Sequence, residues 1–309
     1  MSDAMGRSEV AAADLGVTPG LGASGEGGSG RPGRETLRLF VRNKAAVAGV
    51  VMLIGIVFMT VAGPRIYDND PKDIVAIPLT GPGELEEARL GTDYLGRDVL
   101  AGVIGGGTTS LTVAAMAAAM VLVIGISIGA LAGYYGGWLD SALMRFTEFF
   151  QVLPALLFAM VLVALFEPSM FTISFAIGVV AWPGIARITR AEFLRLKNLE
   201  FVRAARAVGA TDWRIIRKVV FPNALPPLIV SATLIMGTAI LFEAGLAFLG
   251  LGDPNTTSWG LMIGLNRGNF LTAWWSVTFP GLAIFFTVLS FSLIGDGLQD
   301  AYNPKLRGR

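Results

Sequence analysis

The side chains that most often perform chemistry in proteins are scarce in this sequence. It contains no Cys and no His, which excludes a disulfide framework, a metal cluster built from Cys or His, and a nucleophile activated by His. No Gly-Lys pair occurs either, so the phosphate-binding loop GxxxxGK(S/T) is absent. If ATP supplies energy to this protein, another polypeptide must bind the nucleotide.

Acids within the apolar part of the chain are the remaining candidates for chemistry. Glu243 lies well inside an apolar run, where an ionisable group is usually functional or paired. It could line a path through the membrane, but we favour a role in helix packing. An intramembrane aspartyl protease needs two facing acids that share a proton, whereas Asp296 stands at the end of a run without an intramembrane Asp partner. We therefore predict no catalytic residue and no metal site.

Membrane-spanning helices must position these acids, because the composition differs from that of a soluble domain. Hydrophobic residues make up 53% of the chain and charged residues only 15%, against about 25% charged in a typical soluble domain. A helix of about 18 residues reaches about 27 Å, close to the thickness of the bilayer core. We predict an all-α membrane protein that crosses the bilayer six times. The uncharged runs are 45–62, 99–139, 149–166, 168–186, 223–242 (extended past Glu243 to Gly252) and 268–295.

Glycines and prolines within these runs predict how the helices pack. Gly125, Gly129 and Gly133 recur at intervals that let two helix backbones approach closely. We favour packing within the chain over contact with another subunit. Pro154 and Pro183 predict kinks in the third and fourth runs, where neighbouring helices must satisfy the freed carbonyl groups.

Basic residues predict the orientation of the chain in the membrane. Six crossings put both termini on one side, and 19 of the 24 Lys and Arg residues fall in the segments that a cytoplasmic N-terminus places inside. We therefore predict cytoplasmic N- and C-termini. The net charge of +1 gives no reason to expect a nucleic-acid partner. The first external loop instead collects acids, namely Asp68, Asp70, Asp73, Glu84, Glu86, Glu87, Asp93 and Asp98.

These boundaries divide the chain into successive segments with different predicted roles. The first is rich in Gly, Ala and Ser and has no long apolar run, which is typical of disorder. The predicted segments are a disordered cytoplasmic tail (1–35), an amphipathic lead-in with the first transmembrane helix (36–63), an extracytoplasmic loop (64–106), a transmembrane core (107–300) that includes a cytoplasmic loop (187–225), and a cytoplasmic C-terminal tail (301–309).

The cytoplasmic loop between the fourth and fifth runs begins with an amphipathic pattern. Its residues Phe201, Ala204, Ala205 and Val208 fall on one face of a predicted helix, and Gly209 is expected to end that helix. Such a small apolar face suits docking into a groove on another protein.

A second short helix is predicted immediately after this glycine. Thr211 or Asp212 can cap its first turn, and its apolar stripe comprises Trp213, Ile216 and Val220. Pro222 is expected to end it near the membrane. By charge and periodicity alone, the two helices could equally lie on anionic lipid.

The spacing of small residues in this loop favours the docking interpretation. Ala204-Ala205, three residues, Gly209, nine residues, Val219, one residue and Phe221-Pro222 resembles the EAA loop of bacterial ABC importer permeases. That family has Glu-Ala-Ala, three residues, Gly, nine residues, Ile, one residue and Leu-Pro. Here Arg203 replaces the Glu, so an ion pair made by the Glu must be absent or reversed.

Further motifs extend the resemblance over nearly the whole chain after residue 35. Gly91-Thr92-Asp93-Tyr94-Leu95-Gly96-Arg97-Asp98 is similar to the GTDxxGRD signature of the C-type permease subunit in dipeptide, oligopeptide and nickel importers. Any one motif alone would be a weak signal, whereas several in the family's order are specific. The others are Gly133 to Asp140 (GYYGGWLD), Glu243 to Gly252 (EAGLAFLGLG), Ser258-Trp259-Gly260, Phe279-Pro280-Gly281, and Gly295 to Asp300 (GDGLQD) with Pro304.

The resemblance implies an ABC importer permease fold in a bacterial cell membrane and a set of partners. The subunit would pair with a homologous B-type permease and receive di- or oligopeptides from an extracytoplasmic substrate-binding protein. Two cytoplasmic ATPase subunits or domains would bind ATP and Mg, so this chain would bind no cofactor. Closure of the ATPases on ATP would push the loop and open the permeases outward, a population shift driven by preferential binding of ATP to one state.

The resemblance also implies roles for particular residues. Arg203, Ala204, Ala205 and Gly209 would dock to the ATPase, with Trp213 and Pro222 fixing the loop to the membrane helices. Gly91, Thr92, Asp93, Gly96, Arg97 and Asp98 would form an external element that meets the binding protein or gates the path. By its residues alone, this element is a helix start at which Asp93 caps exposed amides.

Two alternatives remain at this point. The same architecture serves nickel chelates and other solutes, although this sequence has no His or Cys with which to bind nickel directly. An ion-coupled secondary transporter would usually show matching inverted halves and several buried charges. This sequence has one secure intramembrane acid and no repeat, so we favour the peptide importer.

Overall fold

The computed structural model describes residues 32–302, with side chains from Thr36 onward. The predicted tails at 1–35 and 301–309 lie largely outside these residues. The described residues contain helices and no β-strand, so the all-α prediction is confirmed. The helices are α1 (Pro32–Arg42), α2 (Lys44–Ile66), α3 (Val99–Tyr135), α4 (Gly137–Val152), α5 (Ala155–Leu165), α6 (Met170–Leu196), α7 (Glu200–Ala207), α8 (Asp212–Ile215), α9 (Phe221–Leu246), α10 (Trp259–Asn266) and α11 (Trp275–Tyr302).

Five continuous helical stretches are long and apolar enough to cross a membrane. They are α2, α3, α6, α11 and the stretch Asp212–Leu251, in which α8 and α9 are joined and extended by π-helical turns at Ile216–Val220 and Ala247–Leu251. A sixth candidate is the pair α4 and α5, which is bent by 86°. The prediction of a polytopic helical membrane protein is confirmed, with six crossings if the bent pair counts as one.

The third predicted run, 149–166, does not form one straight helix. Leu153 is extended with ψ 133°, and it separates α4 from α5. Pro154 accounts for the break, because proline lacks a backbone N–H and disfavours the helical conformation at the residue before it. With 11 residues, α5 is about 16 Å long and too short to cross a bilayer alone. Pro183, by contrast, lies inside α6 without ending it.

α3 and α6 form the most extensive helix pair of the bundle. Their backbones approach at the glycines of α3, since a methyl group added at Gly125 would lie 2.7 Å from Cβ of Ile185. One added at Gly133 would lie 2.7 Å from the carbonyl oxygen of Arg190, and Gly129 faces the backbone of α6 in the same way. The preference for packing within the chain is therefore confirmed.

The bundle has two ends, which we name after the segments they carry. The elbow end carries the elbow (residues 197–222), and the loop end carries the long loop (residues 67–98). α3 joins them, because it begins directly after the long loop and its last turn contacts the elbow. At 37 residues it is about 55 Å long.

Both ends of the described chain lie at the elbow end. Asn43, which precedes α2, donates a hydrogen bond of 3.1 Å from Nδ2 to Oδ2 of Asp300 near the end of α11. Arg195, Asn223 and Tyr302 line one groove there, which brings together the ends of α6 and α11 and the start of α9. An even number of crossings requires this arrangement.

Candidate functional site

The elbow consists of two short helices separated by a glycine. α7 ends at Ala207, Gly209 adopts φ +80°, and α8 begins at Asp212. Glycine adopts a positive φ without the steric cost that other residues meet, so the predicted helix end at Gly209 is confirmed. The helix before the elbow, α6, extends ten residues beyond the predicted uncharged run (168–186) and ends at Leu196.

One face of the elbow is anchored to the bundle by aliphatic side chains. Val202, Ile215 and Val220 are 0% exposed and share a buried cluster with Phe193 of α6 and Tyr134 of α3. These contacts hold both short helices against the ends of the long ones.

The opposite face of the elbow is apolar and exposed. Val208 is 83% exposed, Trp213 69% and Phe201 43%, and Ala204 is exposed as well. We call these four residues the exposed face of the elbow; Ala205 beside them is half-buried. Apolar patches of this kind mark surfaces that bind other molecules.

The register of the second short helix differs from the predicted stripe of Trp213, Ile216 and Val220. That stripe assumed α-helical spacing, whereas Ile216–Val220 forms a π-helical turn in which Phe221 N donates to Ile216 O, five residues back. The fully buried residues are accordingly Ile215 and Val220, which are also five apart.

The expectation that Trp213 and Pro222 fix the elbow to the membrane helices is wrong, since both side chains are exposed. Pro222 also does not end the second helix, which continues to Leu251. In α geometry the proline ring would clash with the carbonyl four residues earlier. The π-helical turn directly before Pro222 changes the backbone geometry at that point, and the helix is thereby able to continue.

Polar contacts tie the elbow to α3 through one tyrosine. The hydroxyl of Tyr134 donates to Oδ1 of Asp212 at 2.6 Å, and Nη2 of Arg206 lies 3.5 Å from the same hydroxyl. Nζ of Lys197 donates to the carbonyl oxygen of Tyr134 at 3.1 Å. Asp212 therefore binds α3, while Thr211 takes the capping position of α8 without a capping hydrogen bond from its side chain.

Sequence reasoning assigned no role to Tyr134. The residue stands in the GYYGGWLD motif, where two adjacent tyrosines offered no way to choose between them. Burial separates them in the structure, because Tyr134 is 6% exposed and Tyr135 is 52% exposed. Arg203, which replaces the Glu of the family pattern, is exposed, and among the described residues it forms no ion pair.

At the loop end, the Gly91–Asp98 signature folds into a compact turn. Gly91 and Gly96 adopt φ of +80° and +84°, conformations that favour glycine. Asp93 is 8% exposed, and its Oδ1 accepts hydrogen bonds of 2.8 Å from the backbone N–H groups of Leu95 and Arg97. Asp93 therefore closes the turn, and the prediction that it caps the helix is wrong.

Asp98 is the residue that caps α3. Its Oδ1 accepts from Leu100 N at 2.8 Å, and its Oδ2 accepts from Asn69 Nδ2 at 2.9 Å and from the hydroxyl of Tyr67. Burial, reinforced by the hydrogen bond to the Asp98 carboxylate, raises the pKa of Tyr67 to about 12. The cap thus also fastens the start of the long loop to α3.

The signature further connects the long loop to the last two helices. Thr92 is fully buried, its hydroxyl donates to Ile77 O at 2.7 Å, and its carbonyl accepts from Trp275 Nε1 at 3.0 Å. Tyr94 N donates to Oδ1 of Asn266 at 3.1 Å. Nε of Arg97 is buried and makes no hydrogen bond within the described residues.

Glu243 lies inside the bundle rather than on a surface. It is 2% exposed, and Ser110 Oγ of α3 donates to its Oε2 at 3.0 Å. The same Ser110 Oγ accepts from Trp259 N at the start of α10, at 3.3 Å. This geometry is that of a helix-packing residue, the role we favoured; a role in the transport path stays a prediction. Within residues 36–302, His, Cys, Asp and Glu side chains form no group of three suited to a metal ion.

Comparisons with known families agree with this architecture. Residues 125–308 match the family described as binding-protein-dependent transport system inner membrane component. Residues 31–82 match the N-terminal transmembrane domain of oligopeptide transport permease C. The two matches together cover both the elbow and the first membrane helix.

Individual relatives extend the similarity over most of the chain. A dipeptide transport system permease protein of Escherichia coli K12 is 42% identical over 282 residues, which is 89% of this chain and 94% of the relative. A di/tripeptide transport system permease protein of Pseudomonas aeruginosa UCBPP-PA14 is 39% identical over 282 residues, 89% of this chain and 93% of the relative.

A solved structure shares the fold. A chain of the inward-facing MetNI methionine ABC transporter superposes with a TM-score of 0.55 at 20% identity, over 65% of this chain and 97% of that chain. The family matches, together with relatives that are 39% and 42% identical over 89% of this chain, establish the classification. The chain belongs to the binding-protein-dependent transport system inner membrane components, and it is a multi-pass inner-membrane permease subunit of an ABC importer.

Proposed function

We propose that this chain forms half of the translocation path for di- and oligopeptides, in a heterodimer with a homologous B-type permease. Two ATPase subunits or domains bind ATP and Mg at the elbow end, which faces the cytoplasm. A substrate-binding protein delivers the peptide at the loop end, which faces outward. The chain itself binds no cofactor and catalyses no reaction.

The exposed face of the elbow is the observation that carries this proposal. Trp213 lies on α8 and Val208 directly follows α7, and both short helices are anchored to the bundle by their opposite face. Burial of apolar surface contributes roughly 25 cal/mol per Å², so a partner that covers this face gains affinity from residues that add little to the fold. The exposed Arg203 and Arg206 beside it favour an acidic rim on that partner.

Energy then reaches the permease by movement of the elbow. ATP binding closes the two ATPases, and the elbow of each permease moves with the surface to which it is docked. The state that opens outward becomes populated because ATP binds preferentially to the closed ATPase pair. Hydrolysis and product release return the assembly to the inward-facing state.

The names of the relatives support a peptide as the transported solute. The curated relatives compared above are named for dipeptide or di/tripeptide transport. The chain has no His or Cys with which to bind nickel directly, which disfavours the nickel alternative. Because the binding protein determines much of the solute selectivity, that partner sets the length of the transported peptide.

Uptake by proteoliposomes that contain the complete complex tests the proposal. We expect a labelled dipeptide to accumulate only with ATP and the loaded binding protein, and to be outcompeted by unlabelled dipeptide but not by a nickel chelate. Uptake that persists without ATP, or that collapses with an ionophore while ATP is present, would instead indicate ion coupling.

A further inference from the structure

Tyr134 is the point at which α3 meets several parts of the elbow. Its hydroxyl donates to Asp212 of α8 at 2.6 Å, and its carbonyl accepts from Lys197 after α6 at 3.1 Å. Arg206 of α7 approaches the same hydroxyl to 3.5 Å. A single residue therefore contacts the segments before, within and after α7.

The Tyr134–Asp212 hydrogen bond differs in kind from the apolar anchors of the elbow, and it joins α8 to α3, whereas Lys197 binds from the segment before α7. Val202, Ile215 and Val220 contribute apolar contacts, which are non-directional and tolerate small shifts and rotations. A hydrogen bond to a carboxylate is stronger than one between neutral groups and depends on geometry. It holds α8 at one defined position and orientation relative to the end of α3.

α3 is suited to carry a displacement away from this contact. It runs without a break from Val99 to Tyr135, and it packs along α6 through Gly125, Gly129 and Gly133. Its other end is capped by Asp98, which also binds Tyr67 and Asn69 of the long loop. A displacement of α3 at Tyr134 therefore also displaces Asp98 and the start of the long loop that is bonded to it.

We infer that the Tyr134–Asp212 hydrogen bond transmits movement of the elbow to α3 and so couples the ATPases to the gate. The inference rests on the proposed function. Tyr134 is a positioning residue, since it acts through Asp212 and touches neither nucleotide nor solute. Without the bond, the apolar anchors still hold the elbow in place, but α8 can move relative to α3 when the ATPases close.

Tyr134→Phe removes one oxygen atom from this contact, and Tyr135→Phe is its matched control. Tyr135 is the next residue and half-exposed, and it loses the same atom. In the complete complex, we expect Tyr134→Phe to assemble normally and to retain basal ATP hydrolysis. The number of dipeptides transported per ATP should fall about tenfold, the factor expected from loss of one hydrogen bond to a charged group. Tyr135→Phe should match the wild type.

Asp212 allows the contact to be tested from its other side. Asp212 is exposed, so Asp212→Ala should fold and should reduce transport per ATP as Tyr134→Phe does. Asp212→Asn keeps an acceptor oxygen and should restore part of the coupling. The double variant Tyr134→Phe/Asp212→Ala should be no worse than either single variant, because both remove one interaction.

Two outcomes would overturn the inference. One is an unchanged number of dipeptides per ATP in Tyr134→Phe, and the other is strictly additive losses in the double variant. If the wild-type complex itself shows no ATP-dependent peptide uptake, the proposed function fails. Wild-type uptake combined with a wild-type ratio in Tyr134→Phe removes only the role assigned to this hydrogen bond.

Discussion

The long loop and the elbow are both joined to the same helix, α3, but they differ in the share of polar and apolar contacts that hold them. The long loop is closed by directional polar bonds, in which Thr92, Asp93 and Asp98 are all buried and satisfied by nearby groups. The elbow rests on aliphatic side chains and on the hydrogen bonds of Tyr134, and it leaves Trp213 and Val208 exposed. The long loop is thus held mainly by directional polar bonds, although it too exposes Ile74 (70%) and Ile77 (77%). The elbow differs in that its exposed apolar side chains lie together on one face, opposite the face that packs on the bundle.

The largest loss of stability is expected from a substitution that disrupts the packing of the long loop. In Gly96→Ala, the new methyl group would overlap the carbonyl oxygen of Ala76, at a residue whose φ is +84°. Strain and overlap together should cost at least about 2 kcal/mol, which lowers Tm by roughly 5 °C. Thermal denaturation in detergent, followed by tryptophan fluorescence, measures the change.

Gly83→Ala is the control for this prediction. Gly83 lies in the same loop with φ +80°, but a methyl group added there meets no atom within 4 Å. Gly83→Ala should lower the free energy of unfolding only by the cost of backbone strain, about 1 kcal/mol. Equal Tm values for the two variants would show that the packing around Gly96 does not hold the loop.

An intermediate effect is expected at the elbow, on assembly rather than on stability. Trp213→Ala removes a side chain that is 69% exposed, so Tm should stay unchanged. If the ATPase covers this Trp as an interface anchor, its loss should weaken ATPase binding by about 2 kcal/mol, roughly 30-fold in Kd. Titration of the solubilised permease pair with ATPase subunits measures the affinity.

Trp274→Ala provides the matched control for Trp213. Trp274 is 49% exposed and directly precedes α11, at the loop end. Its removal should leave ATPase affinity unchanged. A drop in Tm for Trp213→Ala, with no change in ATPase affinity, would mean that Trp213 supports the fold after all.

Features that depend on local composition could be predicted from the sequence, whereas features that depend on backbone geometry or on contacts between distant residues could not. The runs that became α2, α3, α6, α9 and α11 could be predicted, because the length of an uncharged stretch alone decides whether it can cross a bilayer. The break at Leu153 and the continuation through Pro222 depend on local backbone geometry. One proline ends a helix and the other is accommodated by a π-helical turn, a difference that residue type does not reveal.

The capping residue illustrates the same limit at the long loop. Asp93 and Asp98 stand five residues apart in one motif, and either could cap a helix by its residue type. The choice follows from where α3 begins, which in turn depends on Tyr67, Asn69 and the two glycines of the turn. Contacts between distant parts of the chain therefore decided a question that the motif left open.

A smaller effect, on the pH dependence of stability, is expected from Tyr67 at the start of the long loop. Burial and the Asp98 carboxylate raise the pKa of Tyr67 from 10.0 to about 12, so the folded protein holds this proton more tightly than the unfolded chain. The resulting stability is fully present below pH 10 and is lost as the pH rises from 10 towards 12. Tm measured across this range should fall less steeply in Tyr67→Phe than in the wild type.

If an ATPase subunit covers the exposed face of the elbow, a single cysteine placed on that face will be shielded in the complex. Because the chain has no Cys, Val208→Cys places a unique thiol on this subunit at a site that is 83% exposed. We expect a water-soluble maleimide to modify this thiol rapidly in the permease pair alone and slowly once ATPase subunits bind. Glu86→Cys in the long loop should react equally in both. Equal modification of the Val208→Cys thiol with and without the ATPases would show that no ATPase subunit covers the exposed face of the elbow.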